Sequence, residues 1–170
     1  MSNIETERLF LRPMTEADGE SVFQWTGDPI VNRYMPYPVH KNVEETKAWL
    51  RSLQGKEEEF GFCLKETGQL IGAGSIKYRE EFDAYEIGYN LNQAFWGKGY
   101  ATEAAKALLE WACEKKHARR FMARHATANR ASGNVLKKCG YQFSHFGQYS
   151  RYDGSETYDA AYYTRIVAVR

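Results

Sequence analysis

The stretch that decides the fold joins a predicted strand to the most regular helical pattern of the chain; it is Ala94-Phe95-Trp96-Gly97-Lys98-Gly99-Tyr100-Ala101-Thr102-Glu103-Ala104. Gly97 and Gly99 let the backbone turn sharply and bring several amide N–H groups close to a ligand. The helix that follows directs the positive end of its dipole at the same place. These features together predict a binding site for an anion such as a pyrophosphate.

Other phosphate-binding motifs fit this stretch less well. A Walker loop requires Gly-x4-Gly-Lys-Ser/Thr, which this stretch lacks. A dinucleotide fingerprint requires a third glycine at the position of Thr102 and an acidic residue at the end of the next strand, and both are missing. A glycine-rich connection without a ligand fits the two glycines equally well when they are taken alone. The wider sequence therefore has to decide.

Composition limits the class of protein. A chain of 170 residues with 43% hydrophobic residues suits one buried core, and no repeat or linker interrupts it, so we expect residues 1–170 to form a single domain. The net charge of +1 gives no reason to expect a nucleic-acid surface. No apolar run approaches the ~20 residues that cross a membrane. Cys63, Cys113 and Cys139 indicate reduced thiols in a cytoplasmic protein, without disulfides or a metal site.

Hydrophobic periodicity outlines an α+β fold with α/β-type layers. Alternating apolar residues predict strands at about 4–12, 60–64, 70–78, 84–92, 120–127, 141–149 and 157–168. Helical spacing and capping patterns predict helices from Thr15 towards Trp25, at 43–53, at 101–112 and up to Cys139, and a short helical piece from Asp28-Pro29. Tightly connected strands followed by strand–helix–strand indicate a mixed sheet with helices on both faces.

Three segments resemble the GNAT superfamily of N-acetyltransferases. Residues 96–101 are similar to its Gln/Arg-x-x-Gly-x-Gly/Ala loop, which binds the pyrophosphate of coenzyme A, although Trp96 replaces the first residue. Residues 129–132 and 138–141 are similar to the next motif, Asn-x-x-Ser leading to Gly-Phe. Residues 6–12 resemble the start of the RimJ/RimL-like branch, whose named members acetylate the N-termini of ribosomal proteins. The segments follow the family order and cover nearly the whole chain.

The resemblance implies a GNAT fold, in which a mostly antiparallel sheet of about seven strands splays apart in the middle to admit acetyl-CoA. Loop amides would hold the pyrophosphate, and backbone groups of Leu91 would bond the pantetheine as a neighbouring strand would. Asn129 would bond the pantetheine from the other side, cap the following helix, or do both. The implied cofactor-binding residues are Leu91, Trp96, Gly97, Lys98, Gly99, Tyr100, Ala101, Asn129 and Ser132.

Transfer to an amine requires a base or a water chain, because most alkyl amines are protonated at neutral pH. Glu86 is the first candidate, since several superfamily members carry a catalytic glutamate at this strand position; a solvated or salt-bridged glutamate is the alternative. His125 is the second candidate, although an inward-pointing histidine is more often a satisfied core residue.

The leaving thiolate also needs stabilisation. Many superfamily members use a tyrosine where this chain has Leu136, and Ser132 could replace it by donating a proton or a hydrogen bond near the helix N-terminus. Local capping is the alternative role for Ser132. Gly133 is unusual in a first helical turn, where glycine costs about 1 kcal/mol relative to alanine, and room for the cofactor is the only explanation that the sequence offers.

The sequence thus predicts an acetyl-CoA-dependent N-acetyltransferase without a metal, which acts by direct attack in a ternary complex. Its acceptor is a primary amine, either of a protein N-terminus or of a small molecule. A non-catalytic acyl-CoA-binding or sensing module of the same fold is the main alternative, supported by Leu136, and ATP or a dinucleotide is a third possible ligand. We expect a monomer or a homodimer. The predicted acceptor walls carry Tyr34, Met35 and Tyr37 on one side and Tyr149, Tyr152 and Tyr158 on the other.

Overall fold

The computed structural model describes residues 3–169, which form eight strands, four α-helices and three short 3-10 helices, at Glu16–Asp18, Glu80–Phe82 and Gln93–Phe95. The strands are β1 Ile4–Glu5, β2 Leu9–Arg12, β3 Glu59–Leu64, β4 Leu70–Arg79, β5 Ala84–Leu91, β6 Arg120–Ala126, β7 Gln142–Ser150 and β8 Thr157–Ile166. The helices are α1 Gly19–Thr26, α2 Val43–Ser52, α3 Tyr100–Lys115 and α4 Arg130–Lys138. The predicted α+β class is confirmed.

All strands join one sheet in the order β1-β2-β3-β4-β5-β6-β8-β7. Neighbouring strands are antiparallel except for β5 and β6, which run in parallel. This parallel pair matches only Tyr85 with Phe121 and Glu86 with Met122. Beyond these residues the carboxyl ends of β5 and β6 are no longer paired with each other. We call this opening the gap; it is the splay that the resemblance implied.

Helices cover both faces of the sheet because side chains alternate along each strand. On β3, Phe60 and Phe62 belong to the core that α3 covers, whereas Cys63 belongs to the core under α1 and α2. Helix α3 approaches the sheet closely because small residues and leucines line its buried face: Ala104, Ala105, Ala107, Leu108, Leu109 and Ala112. Trp25 and Leu50 anchor the opposite layer, where both are almost completely buried.

Two predicted elements differ from the structure. The single strand predicted for residues 4–12 is two antiparallel strands, because the Thr6 hydroxyl accepts the N–H of Leu9 and the Thr6 N–H donates to the Leu9 carbonyl, which closes a turn. The helical piece predicted from Asp28-Pro29 is a series of turns. There the Asn32 side chain donates to the carbonyls of Trp25 and Asp28, and thus competes with helical hydrogen bonds.

Candidate active site

The loop between β5 and α3 has the backbone that its glycines predict. Asn92 begins it by accepting the N–H of Ala94 with its side-chain oxygen at 3.0 Å. Gly97 and Gly99 then adopt φ values of 75° and 82°, in the left-handed region that residues with a Cβ rarely enter. Gly99 directly precedes α3 as its N-cap residue. The loop therefore turns through two left-handed glycines onto the positive end of a sixteen-residue helix.

The amide groups of this loop are free to bind a ligand. The N–H groups of Phe95 and Trp96 donate to carbonyls within the preceding turn, and that of Glu103 donates to the Gly99 carbonyl. For residues 97–102, in contrast, no backbone N–H finds an acceptor within the described residues. Unpaired donors that converge at a helix N-terminus form a suitable site for a phosphate group. The geometry that the pyrophosphate prediction requires is thus present.

A brace from the N-terminal segment holds this loop in place. Arg8 donates from Nη1 to the Lys98 carbonyl at 2.9 Å and from Nε to the Glu103 carboxylate at 2.8 Å. The same carboxylate also accepts the Arg8 backbone N–H at 2.8 Å and the Thr6 hydroxyl. Burial, which favours the neutral acid, is outweighed by these bonds, so the pKa of Glu103 is lowered. Sequence reasoning missed this role of Arg8, because its partners lie about 90 residues away.

The backbone of Leu91 faces the gap. The N–H of Asn92 donates to the Ile71 carbonyl, and Leu91 lies opposite Gly72 in the β4–β5 ladder. Because bonding alternates along an antiparallel pair, the groups of Leu91 point away from β4 towards the place that β6 has left. The Leu91 carbonyl accepts the Trp96 indole N–H at 3.0 Å. The Leu91 N–H is therefore left for a ligand, and Trp96 ties the loop to the end of β5.

Glu86 lies on the face of β5 opposite to Leu91, and it is a salt-bridged glutamate. Its carboxylate pairs closely with Nη1 of Arg79 and lies 3.8 Å from Nε of Arg124. Its side chain is 21% exposed. Arg124 is in turn flanked by the rings of Tyr149 and Tyr162, at 5.2 and 5.9 Å from the ring centroids. The structure thus surrounds Glu86 with two guanidinium groups that the sequence did not identify.

The two predicted acceptor walls meet. Tyr149 donates its hydroxyl hydrogen to the Tyr34 carbonyl at 2.6 Å, and the rings of Tyr34 and Tyr158 lie 6.0 Å apart. Tyr37 is near enough to β5 for its hydroxyl to accept from the Asn90 side chain at 3.4 Å. The Tyr152 ring, in contrast, is 77% exposed and adds only its backbone N–H, which bonds Pro36. The loop after α1 and the last hairpin therefore form one continuous wall.

His125 is a buried residue of the other face, and it explains Gly133. Its Nδ1 lies 2.6 Å from the Ala126 carbonyl and therefore donates its hydrogen to that oxygen. Nε2 has no partner within the described residues. A Cβ added at Gly133 would lie 2.8 Å from Nε2. The histidine ring thus disfavours a Cβ at position 133 of α4, which gives this glycine a structural reason that the sequence did not show.

The start of α4 carries the Asn-x-x-Ser motif. The Asn129 side chain accepts the Ser132 N–H at 3.4 Å and so caps the helix, while its amide nitrogen makes no bond within the described residues. The Ser132 hydroxyl does not cap a backbone group of the described chain; it lies 3.1 Å from the hydroxyl of Tyr89 on β5. Leu136 is 2% exposed and belongs to the core. Tyr89 is a site residue that the sequence analysis did not identify, although strand alternation places it beside Ile87 and Leu91.

Residues 3–169 contain no group of three or more His, Cys, Asp or Glu side chains arranged to hold a metal ion. None of their helices combines the length and the apolar composition that crossing a membrane requires. Cys63, Cys113 and Cys139 are free thiols.

Comparison with known proteins agrees with this geometry. Residues 8–142 match the acetyltransferase (GNAT) domain family. The uncharacterized N-acetyltransferase YnaD of Bacillus subtilis (strain 168) is 34% identical over 163 residues, which cover 95% of each chain. A GNAT-family acetyltransferase structure from Bacillus anthracis superposes with a TM-score of 0.87 at 30% identity, covering 97% of this chain and 98% of that one. RimL, a ribosomal L7/L12 alpha-N-protein acetyltransferase in complex with coenzyme A, shares the fold, with a TM-score of 0.78, 21% identity and 98% coverage of both chains. The chain belongs to the GNAT family of N-acetyltransferases.

Proposed function

We propose that this protein transfers the acetyl group of acetyl-CoA to a primary amine by direct attack in a ternary complex. The observation that carries the proposal is the run of unbonded amides at residues 97–102, beside the gap between β5 and β6. When the diphosphate of coenzyme A lies at these amides, its pantetheine arm can extend into the gap. Acetyl-CoA supplies the activated thioester, and the protein supplies the groups that bind and orient the reactants. RimL, which has the same fold, is described in complex with coenzyme A.

On the cofactor side, we assign the amides from Gly97 to Ala101 to the pyrophosphate, because they have no acceptor within the described residues and lie at the start of α3. Trp96 acts through its side chain, which holds the loop against the Leu91 carbonyl. The Leu91 N–H is the donor that remains for the pantetheine or for the thioester oxygen, where a preorganised N–H stabilises developing charge. The free amide nitrogen of Asn129 provides a second donor on the opposite side of the gap.

On the acceptor side, Glu86 is the group that we propose to take the proton of the amine. Its Oε2 approaches Arg124 only to 3.8 Å, which is longer than a hydrogen bond. Lone pairs of this oxygen therefore remain available to an ammonium group or to a bridging water. His125 is less suitable, since its ring packs against Gly133 and Tyr163 on the other face of the sheet. The acceptor is an amine of a protein N-terminus or of a small molecule, bound against the tyrosine wall.

The test is a thiol-release assay with acetyl-CoA and a panel of N-terminal peptides and small amines. We expect turnover with at least one of them. Glu86→Gln should lower kcat more than tenfold, because general-base catalysis typically increases the rate about 10²–10⁴-fold. The Kd for acetyl-CoA should change less than about twofold. Glu81→Gln is the matched control, since Glu81 also pairs with Arg79 but its side chain is 60% exposed. Equal turnover of Glu86→Gln and wild type would remove Glu86 from the mechanism.

A non-catalytic acyl-CoA-binding module is the second candidate, and one observation favours it. The position at which many family members carry a tyrosine is Leu136, whose side chain is buried in the core. A binding module would bind acetyl-CoA tightly in calorimetry and release no thiol with any acceptor in the panel. Thiol release that depends on an amine would exclude it. A stronger thermal shift with ATP or NAD than with acetyl-CoA would contradict both candidates.

A further inference from the structure

Two hydroxyl groups meet beside the gap. The Tyr89 hydroxyl lies 3.1 Å from Ser132 Oγ, and these residues belong to β5 and to the first turn of α4. The contact joins two elements that flank the opening between β5 and β6. It is the one hydrogen bond that the Ser132 hydroxyl makes within the described residues. The orientation of this hydroxyl is therefore set by Tyr89.

The position of Tyr89 beside α4 follows from the alternation of side chains along β5. Side chains alternate along β5, so Tyr89 shares its face with Ile87 and Leu91, and this face is covered by α3 and α4. The strand has lost β6 as a neighbour at this point, since their pairing ends at Glu86. The Tyr89 ring packs against the core that α3 covers, while its hydroxyl reaches the first turn of α4.

The hydrogen-bonding capacity of the pair determines what it can do. Each hydroxyl has one hydrogen to donate and two lone pairs to accept with. The Tyr89 hydroxyl lies 3.1 Å from Ser132 Oγ and 3.5 Å from the Ser132 carbonyl oxygen, so Oγ is the nearer acceptor for its single hydrogen. When Tyr89 donates to Oγ, the hydrogen of Ser132 is free to point into the gap. The Ser132 N–H is already held by Asn129 at 3.4 Å. Backbone and side chain of Ser132 are thus both fixed, and one donor is left for a group in the gap.

We propose that Tyr89 is a positioning residue that directs the Ser132 hydroxyl hydrogen at the thiolate sulfur released from acetyl-CoA. This inference rests on the proposed function. During transfer the amine nitrogen forms a bond to the acetyl carbon and loses a proton to Glu86, the base of the proposed function. The carbon–sulfur bond breaks, and its electron pair stays on sulfur as coenzyme A leaves as the thiolate. Ser132 donates a hydrogen bond to that sulfur and keeps its proton, while Tyr89 donates to Ser132 and keeps its own. The pair replaces the tyrosine that is missing at Leu136.

The state of Tyr89 agrees with this role. Burial raises the pKa of Tyr89 to about 12, although the hydrogen bond with Ser132 acts in the opposite direction. The phenol therefore keeps its proton at any pH at which an enzyme assay is practical. It acts as a constant donor, and we expect the loss of its hydroxyl to lower kcat without shifting the pH profile.

The decisive experiment measures the bound product and does not depend on turnover. Coenzyme A labelled at the carbon bonded to sulfur is added to the full chain, and NMR follows the ionisation of its thiol. A donor that favours the thiolate lowers the pKa of the thiol. We expect this pKa to be about one pH unit higher with Tyr89→Phe than with wild type, which is about a tenfold change in ionisation. The double variant Tyr89→Phe/Ser132→Ala should match Ser132→Ala alone, because Tyr89 acts through Ser132.

The control variant is Tyr141→Phe. The Tyr141 hydroxyl is also buried, and it has no hydrogen-bond partner within the described residues. Its removal should leave the thiol pKa at the wild-type value. An increase with Tyr89→Phe alone is then not a general effect of removing a buried tyrosine hydroxyl. Equal thiol pKa values for Tyr89→Phe and wild type would overturn the inference, as would full additivity in the double variant.

Turnover provides the second measurement. Tyr89→Phe should lower kcat about tenfold with the KM for acetyl-CoA within about twofold, whereas a structural defect would change both. If the wild type acetylates no acceptor, the proposed function fails, but the thiol pKa of bound coenzyme A still decides whether Tyr89 positions Ser132. An unchanged kcat in an active enzyme would overturn the inference alone.

Discussion

The contact between Gly133 and His125 yields a prediction whose sign depends on the structure. In an ordinary helix, Gly→Ala stabilises by about 1 kcal/mol, because alanine has the higher helix propensity. At Gly133 the added Cβ would lie 2.8 Å from Nε2 and 3.1 Å from Cε1 of the His125 ring. Either α4 or the His125 ring would have to shift to relieve this contact. The ring is constrained by its bond to the Ala126 carbonyl and by the Tyr163 ring, whose centroid lies 5.4 Å from its own.

The magnitude follows from these two opposing effects. Overpacking a well-packed core costs about 1–3 kcal/mol. Subtracting the gain of about 1 kcal/mol in helix propensity leaves a net loss of about 0–2 kcal/mol. We therefore expect Gly133→Ala to lower the free energy of unfolding by about 1 kcal/mol. When the ring is removed by His125→Ala, the same substitution should become stabilising.

The assay is equilibrium unfolding in urea, with the free energy taken from the midpoint and the slope. Asn134→Ala is the matched control, because Asn134 is the next residue of α4 and is exposed. It should stabilise slightly, since alanine is the better helix former. A stabilisation of about 1 kcal/mol by Gly133→Ala in the wild-type background would refute the reasoning, because propensity alone would then account for the site.

The brace between the N-terminal segment and α3 gives two further predictions. Arg8→Lys keeps the charge but loses the planar fork that reaches both the Lys98 carbonyl and Glu103, so the Kd for acetyl-CoA should rise about tenfold in calorimetry. An unchanged Kd would show that the loop keeps its shape without the brace. The pKa of Glu103 is lowered in the folded protein from its ordinary value of 4.5. The Glu103 carboxylate therefore stabilises the fold at pH values above 4.5, and this stabilisation is lost as the pH falls through the lowered pKa of the folded state. The melting temperature of the wild type should accordingly fall more between about pH 5 and pH 3 than that of Glu103→Gln; parallel curves would contradict this assignment.

Much of the loop between β5 and α3 could be predicted from the sequence, since its determinants are local. Left-handed backbone at Gly97 and Gly99 follows from the absence of a Cβ, and free amides at the start of α3 follow from the geometry of any helix N-terminus. Alternation along β5 likewise separates the face of Glu86 from that of Leu91. The family motifs added the order of these elements and with it the gap.

Local rules failed where a polar side chain competed with regular backbone bonding. The Thr6 hydroxyl turned one predicted strand into two, and the Asn32 amide replaced a predicted short helix by turns. Both residues are compatible with the predicted elements by propensity. Their effect depends on which backbone groups lie within reach of the side chain, and single-residue preferences do not contain that information.

Taken alone, the sequence determined the class of fold, the position of the two-glycine loop before α3 and the type of chemistry, because each of these depends on local patterns and on their order along the chain. Only the tertiary structure decided the partners across the molecule. Arg8 meets Glu103 across 95 positions, Tyr89 meets Ser132 across 43, and the His125 ring lies 2.8 Å from where a Cβ at position 133 would be. Such pairs form when strands and helices that are distant in the chain become neighbours, and no local pattern records which side chains will then touch.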